Sequence, residues 1–144
     1  MLHIRKYILF NELTLPKFIL LLVIVSLLLT ALVEYAFADK YAMGVKVIND
    51  STYIGISPTK TSLDFGELSP LASQTRYVTL KNSGGSAAYI SVFMYGDVAP
   101  MVKVSKNNFF LEPGKEIKLE FSIYIPPSAQ FRYYTGGVVI FRFP

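Results

Sequence analysis

An uncharged apolar run near the N-terminus constrains this chain more than any other feature of its sequence. The run reads FILLLVIVSLLLTALV from Phe18 to Val33 and contains neither proline nor glycine. Because it is apolar on every face of a helix, and because the sequence predicts no second helix to bury it, it does not fit a small soluble fold. The run therefore predicts one N-terminal apolar helix that enters a membrane.

The residues around this run leave two fates open. Arg5, Lys6 and Lys17 precede it, and the triplet 36–38 reads Ala-Phe-Ala, with small residues at the two positions that signal peptidase requires. Residues 1–38 can therefore be a cleaved signal peptide. As a helix the run is about 24 Å long, short of the roughly 30 Å hydrocarbon core. A longer helix that includes Lys17 or Glu34 at the interfaces would instead be a single-pass membrane anchor.

Both interpretations place the rest of the chain on the outside of the membrane. Basic residues precede the apolar run, whereas the acidic residues Glu34 and Asp39 follow it, so the N-terminus is expected to remain in the cytoplasm. We expect an exported protein that is either secreted or held at the cell membrane by residues 1–38.

The composition argues against several kinds of chemistry in the exported part. The chain has no cysteine, and its single histidine is His3, so disulfides, zinc sites and nucleophile–histidine pairs are not expected beyond the leader. The net charge is +4, but lysines and arginines are scattered singly, which does not favour nucleic-acid binding. We expect no catalytic residues, no metal and no cofactor. The least favoured alternative is a hydrolase with two carboxylates about 5–10 Å apart.

Beyond Ala38 the sequence alternates with a period of two, which is typical of β-strands. The clearest strand is Ile117–Ile125, whose odd positions are apolar and whose even positions are polar or tyrosine. The other predicted strands are Val45–Ile48, Tyr53–Ser57, Ser62–Phe65, Arg76–Asn82, Ala87–Tyr95, Val102–Val104, Phe109–Leu111 and Val138–Phe143. Short strands at this spacing predict an all-β, antiparallel sandwich of about seven to nine strands after the N-terminal helix.

Turn residues separate these strands. The run 82–85 reads Asn-Ser-Gly-Gly, whose glycines allow positive φ angles between two strands, and Pro113-Gly114 suits the centre of a type II turn. Pro126-Pro127 ends the clearest strand because proline cannot donate to a ladder. Gly136-Gly137 is expected to precede the last strand.

The chain resembles immunoglobulin-like modules of the ASH and major-sperm-protein type. The resemblance rests on Ile56-Ser57-Pro58, on Leu63-Asp64-Phe65-Gly66, on the stretch RYVTLKNSG from Arg76, on FLEPG from Phe110 and on YTGGVVI from Tyr134. It implies an Ig-like sandwich over residues 57–144 that binds other proteins or acts as a spacer. Residues 39–56 form an additional strand or linker segment that the resemblance does not cover.

Two kinds of surface site are predicted. Asn49-Asp50-Ser51 is an acceptor sequon, so Asn49 is a candidate for glycosylation. Tyr89, Phe93 and Tyr95 share one face of a predicted strand, while Phe131, Tyr133 and Tyr134 crowd a predicted loop after the double proline. These six aromatic residues form a candidate interaction patch; the alternative is that they only pack within the sandwich.

The expected function is therefore non-enzymatic. A surface or envelope module for adhesion, scaffolding or assembly fits best, with other envelope proteins or a second copy as partners, the membrane bound through the N-terminal segment, and no nucleic acid. The alternative is a structural subunit of a pilus or filament, in which the segment from Asp39 to Tyr53 adds a strand to a neighbour's sheet.

Overall fold

The computed structural model describes residues 14–49 and 62–144, and the chain divides into two compact units, residues 1–37 and residues 38–144. The first unit contains helix α1, Leu15–Phe37. Pro16 lies in its first turn, where a missing N–H costs nothing. With 23 residues, α1 is about 35 Å long and includes Lys17 and Glu34. By length and composition it could cross a membrane. A signal sequence would pass the same test.

The second unit is built from β-strands. The described residues contain eight of them: β1 Asp39–Val47, β2 Ser62–Leu68, β3 Ser73–Lys81, β4 Ala88–Gly96, β5 Val102–Val104, β6 Phe109–Leu111, β7 Glu116–Tyr124 and β8 Tyr133–Phe143. A short 3₁₀ turn, Ala99–Met101, precedes β5. The prediction of an all-β domain after one N-terminal apolar helix is thus confirmed. The predicted strand Tyr53–Ser57 lies outside the described residues.

The strands form two sheets. The five-stranded sheet has the order β2-β1-β8-β4-β6, and the three-stranded sheet has the order β3-β7-β5. β1, which belongs to the segment that the resemblance does not cover, lies inside the larger sheet between β2 and β8.

One strand pair differs from the antiparallel prediction. β1 and β2 run parallel, with Ala42 opposite Ser62 and Val47 opposite Leu68. A parallel pair needs a crossover of a dozen or more residues, and residues 48–61 are numerous enough for one. The prediction of a purely antiparallel sandwich is therefore wrong at this pair, because the sequence pattern of β2 contains no information about its direction.

A single apolar core joins the two sheets. Leu119, Phe121 and Ile123 of β7 are almost completely buried, whereas Lys118 and Glu120 point outward, as the alternation predicts. They belong to one cluster with the inward side chains of the other strands, among them Val45, Phe65, Leu80, Ile90, Val138 and Ile140.

The turn predictions have mixed outcomes. Gly114 has a φ of 72°, and the Lys115 N–H donates to the Glu112 carbonyl, as a type II turn requires. The glycines of the 82–85 turn, in contrast, do not use positive φ. The side chain of Asn82 closes this turn instead: its amide nitrogen donates to the carbonyls of Ser86 and Leu111, and its oxygen accepts from the Gly84 N–H.

β8 begins at Tyr133, five residues earlier than predicted, and runs through the two glycines that were expected to precede it. Gly136 lies opposite Gly96 in β4. A Cβ at Gly136 would lie 2.1 Å from the carbonyl oxygen of Tyr95, so the absent side chain allows a close approach of the two backbones. Only glycine leaves room for the β4 backbone at this position, so the strand can continue through Gly136 instead of ending there.

Candidate functional site: an aromatic sheet face

The outer surfaces of the two sheets differ in chemistry. On the three-stranded sheet the outward positions of β3 and β7 are mainly hydroxyl and charged groups. Thr75 and Ser122 are 3.1 Å apart and share a hydrogen bond. The Lys118 Nζ atom lies 4.1 Å from the ring centre of Tyr77. This surface is the mixed, solvated one that the scattered charges predict.

The five-stranded sheet is aromatic on its outer surface. Register places Tyr89 of β4 opposite both Phe143 of β8 and Phe110 of β6, and Ser91 opposite Phe141. Directly opposite residues project from the same side of a sheet. The resulting surface, called the aromatic face below, contains seven rings: Tyr89, Phe93, Tyr95, Phe110, Tyr133, Phe141 and Phe143.

Four of these rings form a cluster at one end of the sheet. Tyr89 contacts Phe110 edge-on, with ring centres 5.2 Å apart, and lies 6.4 Å from Phe143. Phe143 in turn stacks on Phe141 at 5.9 Å. These four residues are called the tip cluster. Phe110 is 67% exposed and projects furthest into solvent.

A second group, the central pair, consists of Phe93 and Tyr95, whose rings stack at 6.5 Å. They are 58% and 51% exposed. Ser91, which separates them from Tyr89 along β4, donates to the side-chain oxygen of Asn108. The Tyr95 ring lies directly over Gly137, where a Cβ would meet ring atoms at 2.5–2.8 Å. Because Gly137 has no side chain, the Tyr95 ring can lie flat against the sheet at this position.

Charged residues border the aromatic face at its other end. The Lys46 Nζ atom lies 5.6 Å from the ring centre of Tyr133 and 2.7 Å from the Glu67 carboxylate. The hydrogen bond to Glu67 raises the pKa of Lys46. Beside them Arg132 donates to Asp97 at 2.5 Å. Aromatic residues with a charged border are the usual composition of a protein–protein interface.

The structure brings together four of the six predicted patch residues. Tyr89, Phe93, Tyr95 and Tyr133 all belong to the aromatic face. Phe131 is exposed in the segment before β8, whereas Tyr134 points into the domain and is buried. Tyr133 and Tyr134 are residues of β8, so the prediction of a loop at these two positions is wrong.

The sequence reasoning missed Phe110, Phe141 and Phe143. Each alternates with an inward-facing residue of its own strand, which is a signal in the sequence. Only the pairing of β4 with β6 and with β8 places them beside Tyr89, and no local pattern specifies that pairing.

The remaining candidate sites have separate locations. Asn49 is exposed just after β1, and the other two sequon residues lie outside the described residues. Within residues 14–49 and 62–144, no three histidine, cysteine or acidic side chains lie close enough to hold a metal ion. The carboxylate of Asp64, for example, has a structural role: it accepts a hydrogen bond from the Gly66 N–H at a bulge in β2.

Asp97 links the end of β4 to the start of β8, and this link predicts a pH effect. Its carboxylate accepts from Arg132 and from the Thr135 N–H, and these bonds hold its pKa below the ordinary value. A lowered pKa contributes stability above the unfolded-state pKa of about 3.9, and this contribution is lost as the pH falls through the folded-state pKa.

We therefore expect Asp97→Asn to destabilise the domain at pH 7 and to lose less further stability than the wild type between pH 5 and about 2.5. The thermal midpoint of the chain in detergent micelles, followed by the near-ultraviolet circular dichroism of tyrosine, measures this difference. Glu112→Gln, at an exposed carboxylate elsewhere, serves as the control. Parallel pH profiles for Asp97→Asn and the wild type would contradict the prediction.

Comparison with protein-family models finds no matching family, and comparison with curated proteins finds no match.

Proposed function

We propose that this chain is a non-enzymatic, membrane-anchored Ig-like domain that makes protein–protein contacts outside the membrane through its aromatic face. The observation that carries the proposal is the contrast between the two sheet surfaces: one is polar, and the other presents seven aromatic rings. Contiguous apolar patches of this kind are rare on monomeric soluble domains unless they bind something.

The exposure and mutual stacking of the central pair support a binding role. Phe93 and Tyr95 are more than half exposed although both lie within β4 on its outward side, where polar residues are usual. The Tyr95 ring already lies over Gly137 and stacks on Phe93, so the two rings form one continuous apolar surface without a partner.

The Ig-like type is supported by a tyrosine near the start of β8. The Tyr134 hydroxyl accepts a hydrogen bond from the Gln130 N–H, four residues upstream. A tyrosine whose hydroxyl bonds back to the backbone a few residues upstream is a feature of Ig-like sandwiches. The guanidinium carbon of Arg132 lies over this ring, 3.9 Å from its centre.

The anchored form is supported by the length of α1. A helix of 23 residues is longer than the roughly 30 Å hydrocarbon core of a bilayer. Lys17 and Glu34 lie near the two ends of α1, where their side chains can reach the interface. The cleaved form would have the same domain and the same aromatic face without the anchor.

A photo-crosslinking amino acid at Phe93 tests the proposed contact in the membranes of the source cell. The control position is Tyr77, an aromatic residue that is 53% exposed on the outer surface of the three-stranded sheet. We expect one discrete protein adduct from position 93 and none from position 77, and we expect Tyr95→Ser to remove the adduct. Equal crosslinking from both positions would contradict the proposal.

The filament alternative meets an obstacle in β1. This strand pairs with β2 on one side and with β8 on the other, so residues 39–47 would have to leave their own sheet to complete a neighbour's. A ladder of adducts at multiples of the 16.2 kDa chain would favour self-assembly over a different partner.

A further inference from the structure

The tip cluster lies at the end of the sheet where the chain enters the domain. Asp39, the first residue of β1, is opposite Ile140, and β8 then continues for Phe141, Arg142 and Phe143. At about 3.4 Å per residue, β8 extends roughly 10 Å past the level of Asp39. Tyr89 and Phe110 are in register with Phe143 and therefore share this overhang.

The connection between helix α1 and strand β1 is very short. Only Ala38 lies between Phe37, the last residue of α1, and Asp39. Two peptide units span at most about 7 Å. Where α1 crosses a bilayer, the covalent link therefore holds the start of β1 at the headgroup level. The ends of β8 and β4 that extend about 10 Å past Asp39, opposite to the direction of β1, are long enough to reach the same level.

The chemistry of the tip cluster suits that level. Tyrosine and other amphipathic aromatic rings are enriched at membrane–water interfaces, where one part of the ring is apolar and the other contacts water. Lys40 projects from the same sheet surface, one residue after the start of β1. Arg142 projects from the opposite surface of β8, where it pairs with Asp39. Phenylalanine in the headgroup region with a basic side chain beside it is the pattern of an interfacial anchor.

We propose that the tip cluster inserts into the lipid interface and fixes the orientation of the domain on the membrane, leaving the central pair free for a protein partner. This proposal rests on the membrane anchoring in the proposed function. A second copy of the chain is a poorer occupant of the tip cluster. Of its four rings only Phe110 is mostly exposed, so the cluster can bury less surface than the roughly 800 Å² per partner of a standard protein interface.

The absence of tryptophan from the chain makes the test direct. Phe110→Trp places the only tryptophan in the tip cluster, and Phe93→Trp places it in the central pair as the matched control. The full-length variants are reconstituted in phosphatidylcholine vesicles, with and without lipid brominated near the top of its acyl chains. Vesicle flotation, quenching by bromine and quenching by aqueous acrylamide are then measured.

We expect both variants to float with the vesicles. Bromolipid should quench the tryptophan at position 110 and shield it from acrylamide, while the tryptophan at position 93 should be quenched by acrylamide alone. Phe143→Trp, which keeps Phe110 intact, should behave like Phe110→Trp.

Three results would overturn the proposal, and they are distinguishable. Flotation with equal acrylamide quenching at positions 110 and 93 would leave the anchor in place but reject insertion. Shielding at position 110 without bromine quenching would show that protein, such as a second copy, covers the tip. Failure of both variants to float would reject the membrane anchor in the proposed function together with the inference.

Discussion

Replacing Gly136 with alanine is expected to be one of the most damaging single-methyl changes in the domain. The new Cβ would lie 2.1 Å from the Tyr95 carbonyl oxygen and 3.0 Å from a methyl group of Val98. The first contact is with backbone, so relief requires β8 to separate from β4 where β4 ends at Gly96. Overpacking by a methylene typically costs about 1–3 kcal/mol, and we expect this backbone clash to cost at least the upper end of that range.

Gly85→Ala is the matched control because a Cβ there meets no heavy atom within 4 Å. We expect its effect to stay within about 0.5 kcal/mol, as for most surface substitutions. Chemical denaturation in detergent micelles, followed by the near-ultraviolet signal of tyrosine, gives both values. If Gly136→Ala were as mild as Gly85→Ala, the register between β4 and β8, and with it the aromatic face, would be incorrect.

The second large effect is expected from Phe121→Ala. Phe121 is completely buried at the middle of β7, where it fills the space between the two sheets. Truncation of a buried phenylalanine costs about 3–5 kcal/mol because transfer energy is lost and a cavity remains. A typical domain has only about 5–15 kcal/mol of stability, so the variant should be largely unfolded at temperatures that the wild type tolerates.

Lys118→Ala, on the opposite surface of the same strand, controls for the effect of alanine on β7 itself. It removes only the contact with Tyr77, so we expect a loss of about 1 kcal/mol or less. Similar losses for Phe121→Ala and Lys118→Ala would mean that β7 is not half-buried as described. The same denaturation experiment compares the two variants.

Local patterns in the sequence predict much of this fold. The alternation of β7 identifies both its core face and its solvent face, and Pro113-Gly114 identifies its preceding turn, because each depends only on neighbouring residues. The apolar helix is equally evident from its composition. Its end at Phe37 is less so, because Glu34 interrupts the uncharged run without ending the helix.

The long-range arrangement is what the sequence does not specify. The parallel pairing of β2 with β1 joins strands that are separated in sequence, and the passage of β8 through Gly136 and Gly137 depends on the strand that lies against them. The candidate surface has the same limitation. Tyr89, Phe93 and Tyr95 are visible as one face of a strand, but Phe110 and Phe143 join them only through pairing across the sheet.

The side of the membrane on which the sandwich lies is the central claim, and a single cysteine reports it most directly. The chain has no cysteine, so Ser128→Cys, at an exposed position in the segment between β7 and β8, introduces the only thiol. Cells that express this variant are treated with a membrane-impermeant maleimide before or after lysis, and the membrane fraction is analysed by intact mass. The account predicts labelling in intact cells on a chain of full mass, close to 16.2 kDa, that remains in the membrane fraction. Labelling only after lysis would contradict it.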